Sequence, residues 1–597
     1  MRLHSKLAFA PAEVSVERRA DGAIVLRSPQ TLRPFARAVG DWLIEWHRRA
    51  PERVFLAERK GEGWRRVTYA EALAAARRIG QALLDMGLDA SRPVAILSDN
   101  GVDHALMALG AMHAGIPAAP ISPAYSLMSK DFGKLRAIFE LLRPGLVYAA
   151  DGERFAPALR AVPRGDAKLV FSANAPSDLP ALPFAALLET HPGAALERAF
   201  AAIGPDTVAK ILFTSGSTGV PKGVINTHRM LCANQQMLAQ GWPFVEERPP
   251  VLVDWLPWSH TFGGNHNFNL VLRNGGTLYV DGGKPMPGLI ETTVRNLREV
   301  SPTMVFNVPR GFDLLLPHLE SDAGLRRSFF RDLDLVFYAG AALPQNLWER
   351  LEALALAEKG GELAMLSAWG STETSPLATQ VHFPIERAGV IGLPVAGCEI
   401  KLVPAGGKLE ARVRGPNVTP GYYGREDLTR AAFDEEGFYR IGDALRFADP
   451  RAPEKGLAFD GRVAEDFKLA TGTWVHVGAV RVKLIAAADP VIQDAVITGH
   501  DRNEVGALVF LSPAAKALAP EAIREKLAAA LAALAAEGGS STHPVRLLVM
   551  DEPPSIDANE ITDKGYINQR AVLERRAALV ERLHGTPVPP EVIVAAR

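Results

Sequence analysis

Short apolar runs of β-forming residues alternate with stretches of helical period along most of this chain, and that alternation limits the fold more than any other feature. Pro93-Val-Ala-Ile-Leu-Ser98 precedes a helix running through Gly110, and Gly145-Leu-Val-Tyr148 follows another. The pattern continues through Thr303-Met-Val-Phe306, a helix around Phe312 to Leu319, Leu333-Asp-Leu-Val-Phe337 and a helix from Gln345 to Ala357. Strands separated by helices pair in parallel, so a large N-terminal doubly wound α/β body is expected. From about Gly392 the pattern changes to short alternating strands with Gly/Pro turns, Glu399-Ile-Lys-Leu-Val403 and Lys408-Leu-Glu-Ala-Arg-Val413, which predicts a β-rich subdomain. Beyond Gly461-Arg462 lie strand-like Asp494-Ala-Val-Ile-Thr498 and Gly506-Ala-Leu-Val-Phe510 and an Ala/Leu helix from Glu521 to about Glu537. These suffice for a smaller α+β C-terminal domain, and the expected division is 1–461 and 462–597.

A length of 597 residues exceeds what one ordinary core serves, in keeping with two or more domains. With a formal net charge of −1, nothing draws the chain to nucleic acid or to an anionic membrane. Cys232 and Cys398 are the only cysteines. They form no disulfide framework and fit structural thiols in a reducing, cytoplasmic setting. The first ten residues lack the apolar core of a signal peptide. The most apolar stretch, Ala105 to Ile121, is interrupted by Gly110, His113, Gly115 and Pro117, so it reads as a buried helix, a turn and a strand, with no membrane insertion. Gly538 to Thr542 reads as an exposed connector.

Behind the apolar run Ala209-Lys-Ile-Leu-Phe213 stands Thr214-Ser-Gly-Ser-Thr-Gly-Val-Pro-Lys-Gly223, a phosphate cradle by composition. Glycines let backbone N–H groups approach an anion, the hydroxyls add donors, and Lys222 supplies a mobile positive charge. It is not a Walker A loop, because Pro221 stands where that motif needs glycine before the lysine and Gly223 where it needs Ser or Thr. On composition alone, a Gly/Ser surface turn is the ordinary alternative.

Further along come Trp255-Leu-Pro-Trp-Ser-His260, Tyr338-Ala-Gly-Ala-Ala-Leu-Pro344, Trp369-Gly-Ser-Thr-Glu373, Tyr439-Arg-Ile-Gly-Asp443, Gly461-Arg462 and Lys564. Together and in this order they resemble the adenylate-forming superfamily of acyl-CoA synthetases, adenylation domains and luciferases, over nearly the whole chain. A narrower resemblance, to feruloyl-CoA synthetases, rests on Val25-Leu-Arg-Ser-Pro-Gln30, Ala57-Glu-Arg59, Ser122-Pro-Ala-Tyr-Ser-Leu127, Phe132-Gly-Lys-Leu-Arg136, the block from Gly461 to Val475, and Ile556-Asp-Ala-Asn-Glu-Ile-Thr-Asp-Lys-Gly-Tyr-Ile567.

The resemblance implies a two-step ligation. A carboxylate attacks the α-phosphate of ATP and releases pyrophosphate, and the thiol of coenzyme A then attacks the acyl-adenylate. It implies that Thr214, Ser215, Gly216, Ser217, Thr218, Gly219 and Lys222 hold the β- and γ-phosphates. Glu373 is implied as the ligand of Mg²⁺, which prefers a hard carboxylate oxygen beside phosphates. Thr372 would bond the α-phosphate, while Gly340, Ala341, Ala342, Trp369, Gly370 and Ser371 would enclose the adenine side of the nucleotide. Asp443 would accept both ribose hydroxyls, with Arg462 on the same sugar. Lys564 would bridge the carboxylate and the α-phosphate during adenylation. His260, near Phe262, Gly263 and Asn265, would flank the carboxylate and the thiol path, and Asn307 to Arg310, Gly340 and Ser375 to Leu377 would line the acyl pocket.

Two departures stand beside this. Asn559-Glu-Ile-Thr-Asp-Lys564-Gly replaces the superfamily's Pro-x-x-x-x-Gly-Lys, and Ala464 stands where Asp or Lys is usual at the hinge near 462–466. A rotation there would exchange Lys564 for Lys468 and for Gly472, which would line the pantetheine tunnel. The expected partners are a small aromatic carboxylic acid such as ferulate, ATP and coenzyme A, with a homodimer left open. A benzoic or medium-chain acid, loading of a carrier protein, or a non-catalytic AMP-binding module are the alternatives.

Overall fold

The computed structural model describes residues 7–595 apart from 216–219, 287, 342, 362, 540, 563 and 564. The strand Val94–Leu97 is buried along its whole length between Ala118–Ile121 and Leu146–Asp151, both parallel to it. A run of apolar residues without alternation belongs in such a place, where both faces of the strand are covered. Lys168–Ala173 and Leu182–Pro183 extend this sheet on one side, and Val208–Ser215 and Pro221–Thr227 on the other, giving seven strands with only the last pair antiparallel. Helix Tyr69–Asp85 packs on helix Val102–His113. It starts at Thr68 because Glu71 N donates to the Thr68 hydroxyl (3.2 Å) while Thr68 N donates to the Glu71 carboxylate (2.8 Å).

The three parallel strands Met304–Asn307, Leu335–Tyr338 and Ala364–Gly370 begin a second sheet. The β-rich stretch expected beyond Gly392 does not stack as a layer of its own. A short turn after Gly370 reverses the chain, so Leu377–Gln380, Val390–Pro394, Leu457–Arg462, Tyr439–Phe447, Lys408–Arg414 and Glu399–Ala405 continue the same sheet in antiparallel pairing. Ile24–Arg27 and Ser15–Arg18 close its far edge, bringing it to eleven strands. A third sheet orders Val251–Asp254, Thr277–Val280, Val54–Lys60 and Gly63–Thr68.

The C-terminal region builds its own sheet from Ile492–Thr498, Gly506–Leu511, Arg546–Val549 and Ile593–Val594. Helices Val477–Ala487 and Pro520–Glu537 share one apolar cluster with it, and Val572 and Leu583 share a second with Leu508 and Phe510. The apolar clusters of the large body take in two residues of the C-terminal region, Ile556, which is buried with Tyr125, Phe139 and Phe155 of the seven-stranded sheet's helices, and Ile561, which packs against that cluster and against the one of Leu508 and Phe510. Cys232 and Cys398 are both buried thiols, as expected. No helix among the described residues is long and apolar enough to cross a membrane.

Candidate active site

The two large sheets meet through the segment 419–423. Tyr423 N donates to Gly223 O (2.7 Å) and Ile225 N to Gly421 O (3.2 Å), which stitches that segment to the strand carrying Lys222. Tyr422 then points its hydroxyl at Glu373, donating to Oε1 at 3.0 Å, and lies 3.4 Å from the Tyr439 hydroxyl. Lys222 Nζ lies 5.1 Å from the centre of the Tyr422 ring, within cation–π range. Lys222 and Glu373, 151 positions apart in the chain, thus face one another across a single tyrosine. Thr214 pairs with Lys222 across the hairpin. Gly216, Ser217, Thr218 and Gly219 lie outside the described residues, as do Ala342 and Lys564, and the backbone of Ser215 ends the strand.

Trp369 and Gly370 end the strand Ala364–Gly370, and Ser371 leads into a short turn holding Thr372 and Glu373, both buried. Thr374 fixes this turn: its hydroxyl accepts from Ser371 N (2.8 Å) and donates to Pro376 O (2.5 Å). The Ser371 hydroxyl is buried with no hydrogen-bond partner among the described residues. Gly340 and Ala341 follow the neighbouring strand Leu335–Tyr338 and are exposed at its end.

Asp443, on the strand Tyr439–Phe447, is 8% exposed and accepts at Oδ2 from Trp369 Nε1 (2.9 Å). Its other oxygen has no hydrogen-bond partner among the described residues and lies 3.5 Å from Nε of Arg462, the residue paired with it on the next strand. Burial pushes the Asp443 carboxyl above the ordinary carboxylate value, Arg462 and the Trp369 N–H pull it back, and Glu373 adds to the rise. An oriented, half-satisfied buried carboxylate is destabilising unless something occupies the free oxygen.

His260 is buried after the strand Val251–Asp254, and its carbonyl accepts from Gly264 N (2.8 Å) at the start of a wide π-type turn, Phe262–Asn267. Only glycine fits at 263 and 264, where a Cβ would fall 2.2 Å from Leu256 O and 2.3 Å from Trp258 O. This close return packs Phe262 and His266 against Phe306 and Phe337, which sit on two adjacent parallel strands. The His266 ring stacks on Phe337 at 5.2 Å, and burial holds its pKa at about 4. Sequence reading missed His266, Tyr422 and Tyr439 as site residues, since the contacts that bring them in span sheets and leave no local pattern. Asn307 accepts from Trp255 Nε1 (3.2 Å) at the end of the same parallel strands.

Lys210 is enclosed within Val208–Ser215 and donates Nζ to Gly264 O (2.7 Å), tying that strand to the His260 turn. Burial pulls its ammonium down to about 7 from 10.5. Between those two values the unfolded chain holds the proton and the folded one does not, so this group makes stability rise with pH across that window. Lys210→Met is expected to flatten that rise in denaturant titrations at neutral and alkaline pH, and an unchanged pH slope would contradict the assignment.

Lys468 and Gly472 are not brought to this constellation. Lys468 is exposed over the Trp474 ring at 5.0 Å, Trp474 packs against Gly406, and Gly472 faces open space at a left-handed φ of +81°. Among the described residues no group of three or more His, Cys, Asp or Glu side chains is arranged for a metal. Mg²⁺ fits the donor set at Glu373 nonetheless, since it takes one or two carboxylates with phosphate oxygens and water completing the shell.

Comparison with known proteins agrees with this geometry. Residues 43–423 match the family model described as AMP-binding enzyme, and residues 471–586 match that of the AMP-binding enzyme C-terminal domain. A long-chain-fatty-acid–CoA ligase from Escherichia coli O6:H1 is 32% identical over 262 residues, which is 40% of this chain and 44% of that protein. A carboxylic acid reductase from Segniliparus rugosus is 24% identical over 420 residues, 64% of this chain and 33% of its own length. The matches thus span less than half of these relatives. The crystal structure of the adenylation domain of a carboxylate reductase from Mycobacterium chelonae superposes with a TM-score of 0.70 at 21% identity, covering 92% of this chain and 90% of that one, and so shares the fold. The family match covers well over half of the chain. The chain therefore belongs to the AMP-binding enzyme family.

Proposed function

We propose that this protein is an acid–thiol ligase: it joins a carboxylic acid to AMP, releasing pyrophosphate, and then transfers the acyl group to coenzyme A, releasing AMP. The observation that carries this reading is Asp443, held by Trp369 with its second oxygen unpartnered beside Arg462, in the same site as the Glu373–Tyr422–Lys222 row. The carboxylate suits the two ribose hydroxyls, Lys222 and the loop behind it suit the outer phosphates, and Thr372 the α-phosphate between them. Glu373 would hold Mg²⁺, which supplies charge neutralisation on the phosphates. Lys564 takes the role of stabilising charge as the carboxylate oxygen bonds to phosphorus. His260 flanks the acid. Arrangement of reactants does most of the work in such a transfer.

For the acid, an aromatic hydroxycinnamate such as ferulate is the proposed substrate. Half-buried Phe262, backed by the buried rings of Phe306 and Phe337 toward the C-terminal ends of two parallel strands, gives an apolar aromatic wall where open α/β sheets bind ligands. Asn267 donates Nδ2 to Asp254 (2.9 Å) and so turns Oδ1 to His266 Nδ1 (2.9 Å), leaving Nε2 as the lone-pair nitrogen, with no partner among the described residues. A phenol hydroxyl is the donor that matches it. A fatty acid is the second reading, favoured by the identity to a protein named for long-chain fatty acids.

The division at 461/462 is also proposed as functional. Asp466 accepts from Val477 N (3.0 Å), contacts His476 Nδ1 (2.9 Å) and pairs with Lys408 of the large body, so it ties the two bodies together beside the proposed hinge, and its pairing with Lys408 is the contact that must part when Lys468 and Gly472 replace Lys564.

The test is mass-spectrometric detection of acyl-CoA and AMP with Mg-ATP, coenzyme A and a panel of acids. Ferulate is expected to exceed cinnamate by roughly ten- to a hundredfold in kcat/KM, the cost of an unpaired buried polar group. A long-chain acid as best substrate would favour the second reading. Lys564→Ala is expected to lower acyl-adenylate formation by roughly a hundredfold or more while ATP binding persists. Unchanged turnover in that variant would remove the lysine from the mechanism.

A further inference from the structure

Two of the sequence blocks that carry the narrower resemblance, 132–136 and 556–567, are separated by more than four hundred residues and touch in the folded protein. Lys134 Nζ donates to Ile556 O (2.7 Å) and to Asn559 Oδ1 (3.2 Å). Asp557 accepts at Oδ1 from the Ser129 hydroxyl (2.7 Å) and at Oδ2 from Lys130 N (3.0 Å). Ile556 is buried in the apolar cluster of the large body, with Ile561 and Phe132 packed against the same cluster. No other C-terminal residue belongs to the buried part of that cluster among the described residues.

The far side of the same segment is anchored as well. Thr562 N donates to Tyr566 O (2.8 Å), closing a turn, and a Cβ at Gly340 would fall 2.5 Å from the Tyr566 hydroxyl. Gly340, at a φ of +84°, therefore lets the Tyr566 ring sit against the proposed nucleotide pocket. Lys564 stands in sequence between these two anchors. The contacts at 129–134 are few, polar and partly exposed, apart from Ile556 and Ile561, which is the composition of an interface that closes and opens rather than of a permanent core.

We propose that Ser129, Lys134 and Asp557 are positioning residues: they form a clamp that docks the 555–567 segment on the large body, with Tyr566 beside Gly340, for the first half-reaction, the one that uses Lys564, and the clamp must open for the second. This rests on the two-step reading above. Its logic is a population argument. If adenylation proceeds only from the docked state, weakening the dock lowers that half-reaction in proportion to the docked fraction, while a step that needs the undocked state is spared.

The experiment measures two half-reactions separately on the full chain: acid-dependent ATP–pyrophosphate exchange, and thioester formation from supplied acyl-adenylate and coenzyme A. Lys134→Ala and Asp557→Ala are expected to lower exchange by roughly ten- to a hundredfold, the weight of losing charge-assisted contacts. Thioester formation should be unchanged or faster, and Lys134→Arg should restore most of the exchange. Ser129→Ala, a lighter change at the surface, should lower exchange severalfold and covers the case in which a stronger variant folds poorly. Equal losses in both half-reactions, or no loss in either, would overturn the clamp while leaving the ligase reading intact. A wild-type protein that makes acyl-adenylate from no acid on the panel would overturn both.

Discussion

Asp443→Ala is expected to lower kcat/KM for ATP by roughly a thousandfold, because two charge-assisted hydrogen bonds of about 2 kcal/mol each would be lost at a buried oxygen pair. The structure makes this more than a guess about a motif. Trp369 fixes one oxygen at 2.9 Å, the other has no hydrogen-bond partner among the described residues, and Arg462 at 3.5 Å keeps the local field favourable to the ionised form. Burial nevertheless holds the carboxyl above its ordinary value. An acid whose folded value is raised costs stability as pH rises above the unfolded value, 3.8, so the protein alone is less stable with Asp443 ionised than with it neutral. Asp443→Asn keeps an acceptor for Trp369 and removes the charge. Its melting temperature at pH 7 is expected to equal or exceed that of the parent, while ATP affinity falls by roughly tenfold or more. The pair of measurements separates function from structure: a variant that binds ATP normally, or one that loses several degrees of melting temperature, would mean that Asp443 serves the fold.

How much of this was legible beforehand depends on the range over which each feature is encoded. The parallel strands could be read because a strand covered on both faces is apolar along its length, as Val94–Leu97 and Leu335–Tyr338 are. Helix Pro520–Glu537 was legible from its Ala/Leu content and length. The merging of the β-rich stretch into the sheet that begins with Met304–Asn307 was not, since strand order is set by which edges remain open after folding and not by the strands themselves. The site divides the same way. Glu373 and Asp443 stand in short motifs whose spacing is local. Tyr422 and His266 enter through contacts across sheets, and the meeting of Lys134 with Ile556 joins two blocks that looked like separate signatures. Ala464 illustrates the converse: the resemblance marks that position as unusual, whereas the side chain that fixes the local geometry is Asp466, paired with Lys408 of the large body as well as with His476.

The second large effect concerns Glu560, and it is on stability. Its side chain is fully buried and accepts from Arg576 Nε at Oε1 (2.7 Å), and from Arg576 Nη2 (2.9 Å), Arg575 Nη1 (2.6 Å) and Ser555 N (2.9 Å) at Oε2. Arg576 is itself buried and gives its remaining donors to Glu552 O, Pro553 O and the Met550 sulfur, so the carboxylate is the charge that balances it at the base of the 555–567 segment. Removing one partner of a buried ion pair leaves the other uncompensated and costs about 3–5 kcal/mol. Glu560→Ala is therefore expected to lower the melting transition of the C-terminal body by on the order of 10 °C, with the transition of the large body little moved, in scanning calorimetry. Burial raises the Glu560 carboxyl, but Arg576 and the Ser555 N–H outweigh it and hold it below 4.5, so its contribution persists at neutral pH and is lost only as pH falls below that value. The parent should accordingly lose stability faster than the variant on acidification. A variant with unchanged transitions would mean that Arg576 finds water or its two carbonyls sufficient, and that the segment keeps its shape without the carboxylate. If the transition does fall, exchange of ATP with pyrophosphate should fall with it well below the melting point, because the segment that loosens is the one that bears Lys564 and the contacts of Asp557 with Ser129 and Lys130.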